Sequence, residues 1–116
     1  MQVVRIYTGD DGESHFEEIN LPYEKVAEAE RTAVENAENI HFRRYQPGGF
    51  IDWHTAPRRQ YVICISGQIE IGLGDGSKHL FGPGDARLVE DTTGQGHTTL
   101  TAGTVPGITC TIPLAD

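Results

Sequence analysis

From Ile40 to the C-terminus, apolar and polar residues alternate with a period of two, in short runs rich in β-branched and aromatic side chains. The runs cover residues 40–46, 50–55, 60–65, 68–73, 77–81, 86–90, 97–102 and 108–114. Between them stand Pro47-Gly48-Gly49, Ser66-Gly67, Asp75-Gly76, Gly82-Pro83-Gly84-Asp85 and Pro106-Gly107, which supply the positive φ values and rigid bends of tight corners. Eight short strands with regular corners predict an all-β sandwich or a closed barrel. The first 39 residues follow another pattern. Residues 3–7 and 15–19 read as two strands around Gly9-Asp10-Asp11-Gly12. Within residues 22–39, Val26, Ala29, Ala33, Val34 and Ala37 fall at helical spacing and predict a short helix, although its apolar stripe is mostly alanine. The expected organisation is an N-terminal extension, 1–39, packing on a barrel, 40–116.

A chain of 116 residues has room for one ordinary domain. No run of 18 apolar residues occurs, and Met1-Gln2-Val3-Val4-Arg5 lacks the layout of an export signal, so the expectation is a cytoplasmic protein that makes no membrane contact. The formal charge of −8 opposes phosphate backbones and anionic lipid, which argues against nucleic acid as a partner. The acids crowd into the first 40 residues, ten against three bases, whereas the remainder is nearly balanced. Cys64 and Cys110 form no CxxC or Cys/His run, which removes zinc ribbons and redox motifs, and two buried thiols are expected in preference to a disulfide.

The segment from Pro47 to Ile71 carries the most specific spacing: Gly48, five residues, His54, one, Ala56, three, Gln60, six, Gly67. It resembles the first motif of the cupins, Gly-x5-His-x-His-x3,4-Glu-x6-Gly, with Ala56 and Gln60 in the places of the second histidine and the glutamate. Counting back from His97, Gly94 fits the second motif, Thr92 replaces its proline, and Gly84-Asp85 lies two residues earlier than the family pattern. The resemblance covers about residues 40 to 112. It implies a cupin-type jelly-roll β-barrel and a site in its mouth. It also implies a divalent metal, iron, manganese, nickel or zinc, on His54 and His97 with Gln60 or Asp52 as third ligand.

Physical chemistry bears on the same residues. Asp52, His54 and Ala56 share one strand face, and Gln60, Val62 and Cys64 share one on the next. If both face inward, Asp52, His54, Gln60 and His97 form a polar ring over an apolar floor, a small-ligand site. Gln60 offers one neutral oxygen to a metal, or else orients a histidine by hydrogen bond. Asp52 either completes a two-histidine, one-carboxylate set or is a solvated residue at a strand end. His54, His97 and Gln60 are therefore the candidate catalytic residues, with metal-free acid/base chemistry as the alternative to a metal. His15, His41 and His79 lack a spacing that suggests chemistry.

Arg43, Arg44, Arg58 and Arg59 fall within 17 residues. Arg58 and Arg59, in the bend between the two candidate strands, could clamp a carboxylate or phosphate of a substrate, with Asp52 as a further substrate-binding candidate, or pair with the acidic N-terminal segment. Gly72-x-Gly74-x-Gly76 lies in a hairpin with no helix after it and is no nucleotide loop. Trp53 and Tyr61 alternate out of phase with His54 and Gln60, so they should face outward, toward the N-terminal segment or a second copy in a homodimer. The expected function is an enzyme, of oxygenase, isomerase or lyase type, on a small polar or anionic molecule. A non-catalytic binding domain with a vestigial site is the alternative.

Overall fold

The structure, a computed structural model, describes residues 1–116 and contains twelve strands and no helix: β1 (Gln2–Thr8), β2 (Ser14–Asn20), β3 (Glu24–Val26), β4 (Ala29–Arg31), β5 (His41–Tyr45), β6 (Phe50–His54), β7 (Gln60–Ser66), β8 (Gln68–Gly72), β9 (Lys78–Phe81), β10 (Ala86–Val89), β11 (His97–Ala102) and β12 (Gly107–Pro113). A six-stranded sheet, β2-β1-β10-β7-β12-β5, faces a four-stranded sheet, β6-β11-β8-β9. The expected barrel is an open one. No ladder joins β5, the last strand of the larger sheet, to β6, the first of the smaller.

The eight expected runs all become strands, six of them with residues to bury; β5 and β6, at the ends of the two sheets, have no fully buried residue. On β7, Gln60, Val62 and Cys64 are buried while their neighbours are not, and on β11 His97, Thr99 and Thr101 repeat the pattern. Val62, Ile69, Ile71, Phe81 and Val89 make the core between the sheets. Val3, Ala86, Leu88 and Leu114 make a second cluster on the opposite face of the larger sheet, packed by Leu21 and Tyr61. Both faces of β10 are therefore covered. Gly67 in the β7–β8 turn has φ of 73°, and a Cβ there would lie 2.4 Å from the Pro106 carbonyl oxygen, so only glycine fits. Both cysteines are free and buried, and burial pushes the Cys64 thiol upward.

Residues 1–20 join the larger sheet itself: β1 pairs antiparallel with β2 and parallel with β10. The helix expected within residues 22–39 is not formed. Its alanine stripe offers too little apolar surface to dock, and the chain instead makes an exposed two-stranded hairpin, β3–β4, turning at Ala27 with φ of 53°. Residues 36–38 then run along the end of β12, where Glu38 N–H donates to the Pro113 carbonyl and Ala115 N–H to that of Asn36.

Candidate functional site

A cavity of about 130 Å³ opens between the two sheets on the side where β5 and β6 end them. The larger sheet lines it with Gln60, Val62, Arg87, Val89 and Thr111, and the smaller with Ile51, His54, His97 and Thr99. Ligand pockets are commonly ~300 Å³ or more, so this one suits a molecule of few heavy atoms. A larger hollow of about 320 Å³, between β1 and β9, holds His79, Glu18 and Asp85 but none of the paired groups described next.

His54 and His97 sit directly opposite each other on β6 and β11, with ring centroids 4.5 Å apart in an edge-to-face arrangement. Gly96 makes this possible. Its φ is 76°, and a Cβ would lie 2.0 Å from the His54 carbonyl oxygen, so the chain reaches His97 by passing against the β6 backbone. Each ring is oriented through Nδ1. That of His54 donates to the Asp52 carbonyl at 2.7 Å, and that of His97 donates to Oδ2 of Asp91 at 2.6 Å. The Asp52 carbonyl can only accept, which puts the His54 proton on Nδ1, and a carboxylate at Asp91 does the same for His97, so that neither Nε2 is engaged within the protein. Asp91 is fully buried; Ser14 Oγ donates to the same Oδ2 at 2.6 Å, while Oδ1 has no partner. β2 thus reaches beneath the site to hold the group that holds His97.

Arg87 is the second unexpected member. It is 7% exposed, lies within a fully buried strand and lines the cavity, yet it forms no ion pair, and its Nη1 is closed to solvent without a hydrogen-bond partner. The guanidinium stacks 5.0 Å from the Phe81 ring centre, a contact that compensates only part of its lost hydration. Burial pushes its pKa down to about 10, with Tyr45 and Cys64 acting in the opposite sense, so it remains a cation at neutral pH. Arg43 also lines the cavity, and no Asp or Glu does.

The other expected residues are placed as follows. Gln60 is 7% exposed and shares the cavity with both histidines, whose orienting partners are Asp91 and the Asp52 carbonyl, not Gln60. Asp52 is exposed, and its Oδ1 accepts from Trp53 N–H. The pairing of β6 with β11 slips between His97 and Thr99: Thr99 faces Ile51, so β6 carries one extra residue and bulges. The bulge turns Ile51 inward and leaves the Asp52 side chain outside the cavity lining, contrary to the alternation expected of an unbroken strand. Arg58 pairs with Glu38 and donates to the Leu114 carbonyl. Arg59 pairs with Glu90 at 2.5 Å and Asp116 at 2.8 Å. Neither lines the cavity, and both fasten the N-terminal segment and C-terminus to the larger sheet. Tyr61 faces the same outer side and donates to Glu35 at 2.5 Å; burial, then this bond, push its phenol up to about 12.

No protein-family model and no curated protein sequence matches the chain, and the likeness to known proteins lies in three-dimensional structure. A cupin domain from Bordetella pertussis superposes with a TM-score of 0.53 at 14% identity, over 72% of this chain and 93% of that one. A double-stranded β-helix protein from Klebsiella pneumoniae superposes with a TM-score of 0.52 at 25% identity, over 68% and 69%. A Drosophila CENP-C domain, solved bound to CAL1, superposes with 0.53 at 12% identity, over 79% and 78%. The protein has the cupin fold, an all-β double-stranded β-helix. That fold serves proteins as different as these, so function has to come from the site.

The resemblance also implies a metal, and the donors on this structure do not fit one. Two imidazoles and one carboxamide line the cavity, no group of three or more His, Cys, Asp or Glu converges anywhere in the chain, and the displaced Asp52 removes the expected carboxylate. Nothing in that set offsets a divalent charge, and the unpaired Arg87 cation lines the same space. A carboxylate behind an imidazole also occurs behind metal-bound histidines, but here it is one ligand's support without the rest of a ligand set.

Proposed function

We propose that the protein is a metal-independent enzyme that moves a proton on a small polar organic molecule bound between the sheets, with His97 as base and His54 as acid. The carrying observation is the pair of adjacent imidazoles that line one small cavity, each locked through Nδ1 and each with an Nε2 that makes no hydrogen bond within the protein. Asp91 stabilises the positive charge that His97 acquires when it accepts a proton, so His97 suits the base. His54 is the more exposed ring and can exchange its proton with solvent.

On a substrate with a C–H next to a carbonyl, Nε2 of His97 takes the proton. The C–H electron pair becomes the carbon–carbon double bond, and the carbonyl π pair moves to oxygen. His54, as imidazolium, gives that oxygen a proton from Nε2. Where the α-carbon carries a hydroxyl, the enediol so formed takes a proton at the former carbonyl carbon while the α-hydroxyl gives up its own and becomes the new carbonyl, an isomerisation. Where the β-carbon carries a leaving group, the enol oxygen loses its proton, the carbonyl re-forms and the leaving group departs with its electron pair, an elimination. A binding-only role would need the same cavity without the oriented rings, which is what makes the enzyme the better reading.

The test is solvent exchange. Small enolisable carbonyl compounds are incubated with the protein in D₂O, and loss of the C–H signal is followed by NMR. Exchange on one or more compounds, lost in His97→Ala and reduced in His54→Ala, is expected. Absence of exchange across the panel, or exchange equal in the double variant, overturns the reading.

A further inference from the structure

We propose that Arg87 is a built-in anion anchor, so that the ligand of the cavity carries a carboxylate seated on its guanidinium with its reactive carbon toward His54 and His97. The inference rests on the reading of that cavity as the ligand site and names its substrate class.

Four observations carry it. Arg87 is more than nine-tenths buried, Nη1 has no partner, and the side chain lines the cavity instead of an internal ion pair. A buried guanidinium is normally paired, because an unpaired charge gives up its hydration and gains nothing in return. No carboxylate of a chain with 17 acidic residues lies in the lining, so the partner missing from the site has to come from outside the chain. Arg58 and Arg59, the arginines expected to hold an anion, are engaged by Glu38, Glu90 and Asp116, and Arg43, which also lines the cavity, is exposed where Arg87 is buried.

Register places the parts. Arg87 stands beside Val62, and Val89, one inward position along β10, stands beside Gln60. Gln60 therefore flanks the guanidinium on the same wall, and its carboxamide can donate to a second carboxylate oxygen. The two histidines belong to the opposite sheet. An anion held by bidentate hydrogen bonds to Arg87 has the rest of its body between the sheets, facing the rings. With a cavity of about 130 Å³, the fitting class is a small monocarboxylate with a carbonyl or hydroxyl next to the acid group, not a nucleotide or a sugar phosphate. Burial that holds Arg87 down to about 10 still leaves it charged across the neutral range, so anion binding is expected to be flat from pH 6 to 9 on the arginine's account.

The experiment is a melting-temperature series with pyruvate and acetate against their neutral amides, on wild type, Arg87→Met and Arg87→Lys, with folding of each variant checked by circular dichroism. The acids are expected to raise the wild-type melting temperature dose-dependently, by about 2 °C or more at millimolar concentration, because only the native state binds. The amides should leave it unchanged. Arg87→Met should lose the response, and Arg87→Lys, which keeps the charge but not the planar fork, should bind about tenfold more weakly. Equal responses to acid and amide, or an undiminished acid response in Arg87→Met, overturn the anchor. Acid binding that depends on Arg87 without any C–H exchange in D₂O would leave the anchor standing and remove the proton-transfer reading. Exchange that is as fast on neutral carbonyls as on acids, and unchanged in Arg87→Met, would do the reverse.

Discussion

Arg87 is where stability and function pull in opposite directions. Its pKa is lower in the folded protein than the ordinary arginine value, so the charged form is the one that folding disfavours. That cost is present in full below about pH 10 and is relieved as pH rises beyond it. Replacing it with methionine, of similar length and without charge, should stabilise the ligand-free protein by about 1–3 kcal/mol, a rise on the order of 4 °C or more in melting temperature. The gap between variant and wild type should be constant from pH 6 to 9 and narrow above 10. Tyr61 acts in the opposite sense there, since its raised pKa of about 12 means stability is lost as pH climbs from 10 toward 12. Comparing Arg87→Met with wild type cancels that shared contribution. A variant less stable than wild type at pH 7 would show that the guanidinium has partners of its own. Asp91→Asn keeps the shape of the dyad and removes its charge, and should slow proton transfer by roughly 10- to 100-fold with the cavity intact. Loss of no more than twofold would detach Asp91 from the chemistry. Of these residues the sequence made His54, His97 and Gln60 legible, through spacing. Arg87 and Asp91 were hidden for physical reasons: a charge on a central strand is ordinarily assigned to solvent, and Asp91 follows Glu90, which takes the ion pairs with Arg5 and Arg59 that either acid could have taken.

At the scale of elements, period-two patterning located eight strands of the two main sheets and short β-branched or aromatic runs located β1 and β2, with glycine-bearing corners marking where the strands of the second part end. It failed in two places. The bulge in β6 leaves no mark in residue types, and it moved Asp52 out of the site by shifting the phase between Ile51 and His54. The segment 22–39 has helical spacing but no apolar stripe wide enough to dock, so tertiary structure decided it. The β3–β4 hairpin that forms there has every strand residue exposed, and a two-stranded hairpin alone is marginal. Its amides should exchange with D₂O within minutes at neutral pH while those of Arg87 and Leu88 stay protected; equal protection would mean the hairpin has a packing partner. Gly96 is the opposite case, a position with no freedom. Gly96→Ala would force a Cβ into the His54 backbone and should cost about 2 kcal/mol or more, while also separating the two imidazoles. Unchanged stability would show that β6 and β11 can part without loss.

The whole molecule is an open sandwich with one edge of each sheet, β5 and β6, left uncovered beside the cavity mouth. Ile40, Phe42, Phe50 and Trp53 cluster along those edges, between 42% and 65% exposed, which is unusual for a single soluble copy. A second copy is expected to cover them, as the outward phase of Trp53 suggested, giving about twice the chain's 12.7 kDa by light scattering at micromolar concentration. Phe42→Glu with Trp53→Glu should return the monomer; a wild-type monomer would contradict the pairing. Charge is arranged on the same scale. Seventeen acids surround a cavity that contains two arginines, two histidines and no carboxylate, so a small anion is repelled by the envelope and held only at the interior. The most direct measurement is an NMR titration of protein labelled at its histidine and arginine nitrogens with pyruvate. The buried Arg87 guanidinium and both cavity imidazoles should shift together along one binding curve, and all of these shifts should vanish in Arg87→Met. Shifts confined to Arg58 and Arg59, or imidazole shifts that survive without Arg87, would contradict a single anion-binding, proton-transferring cavity between the sheets.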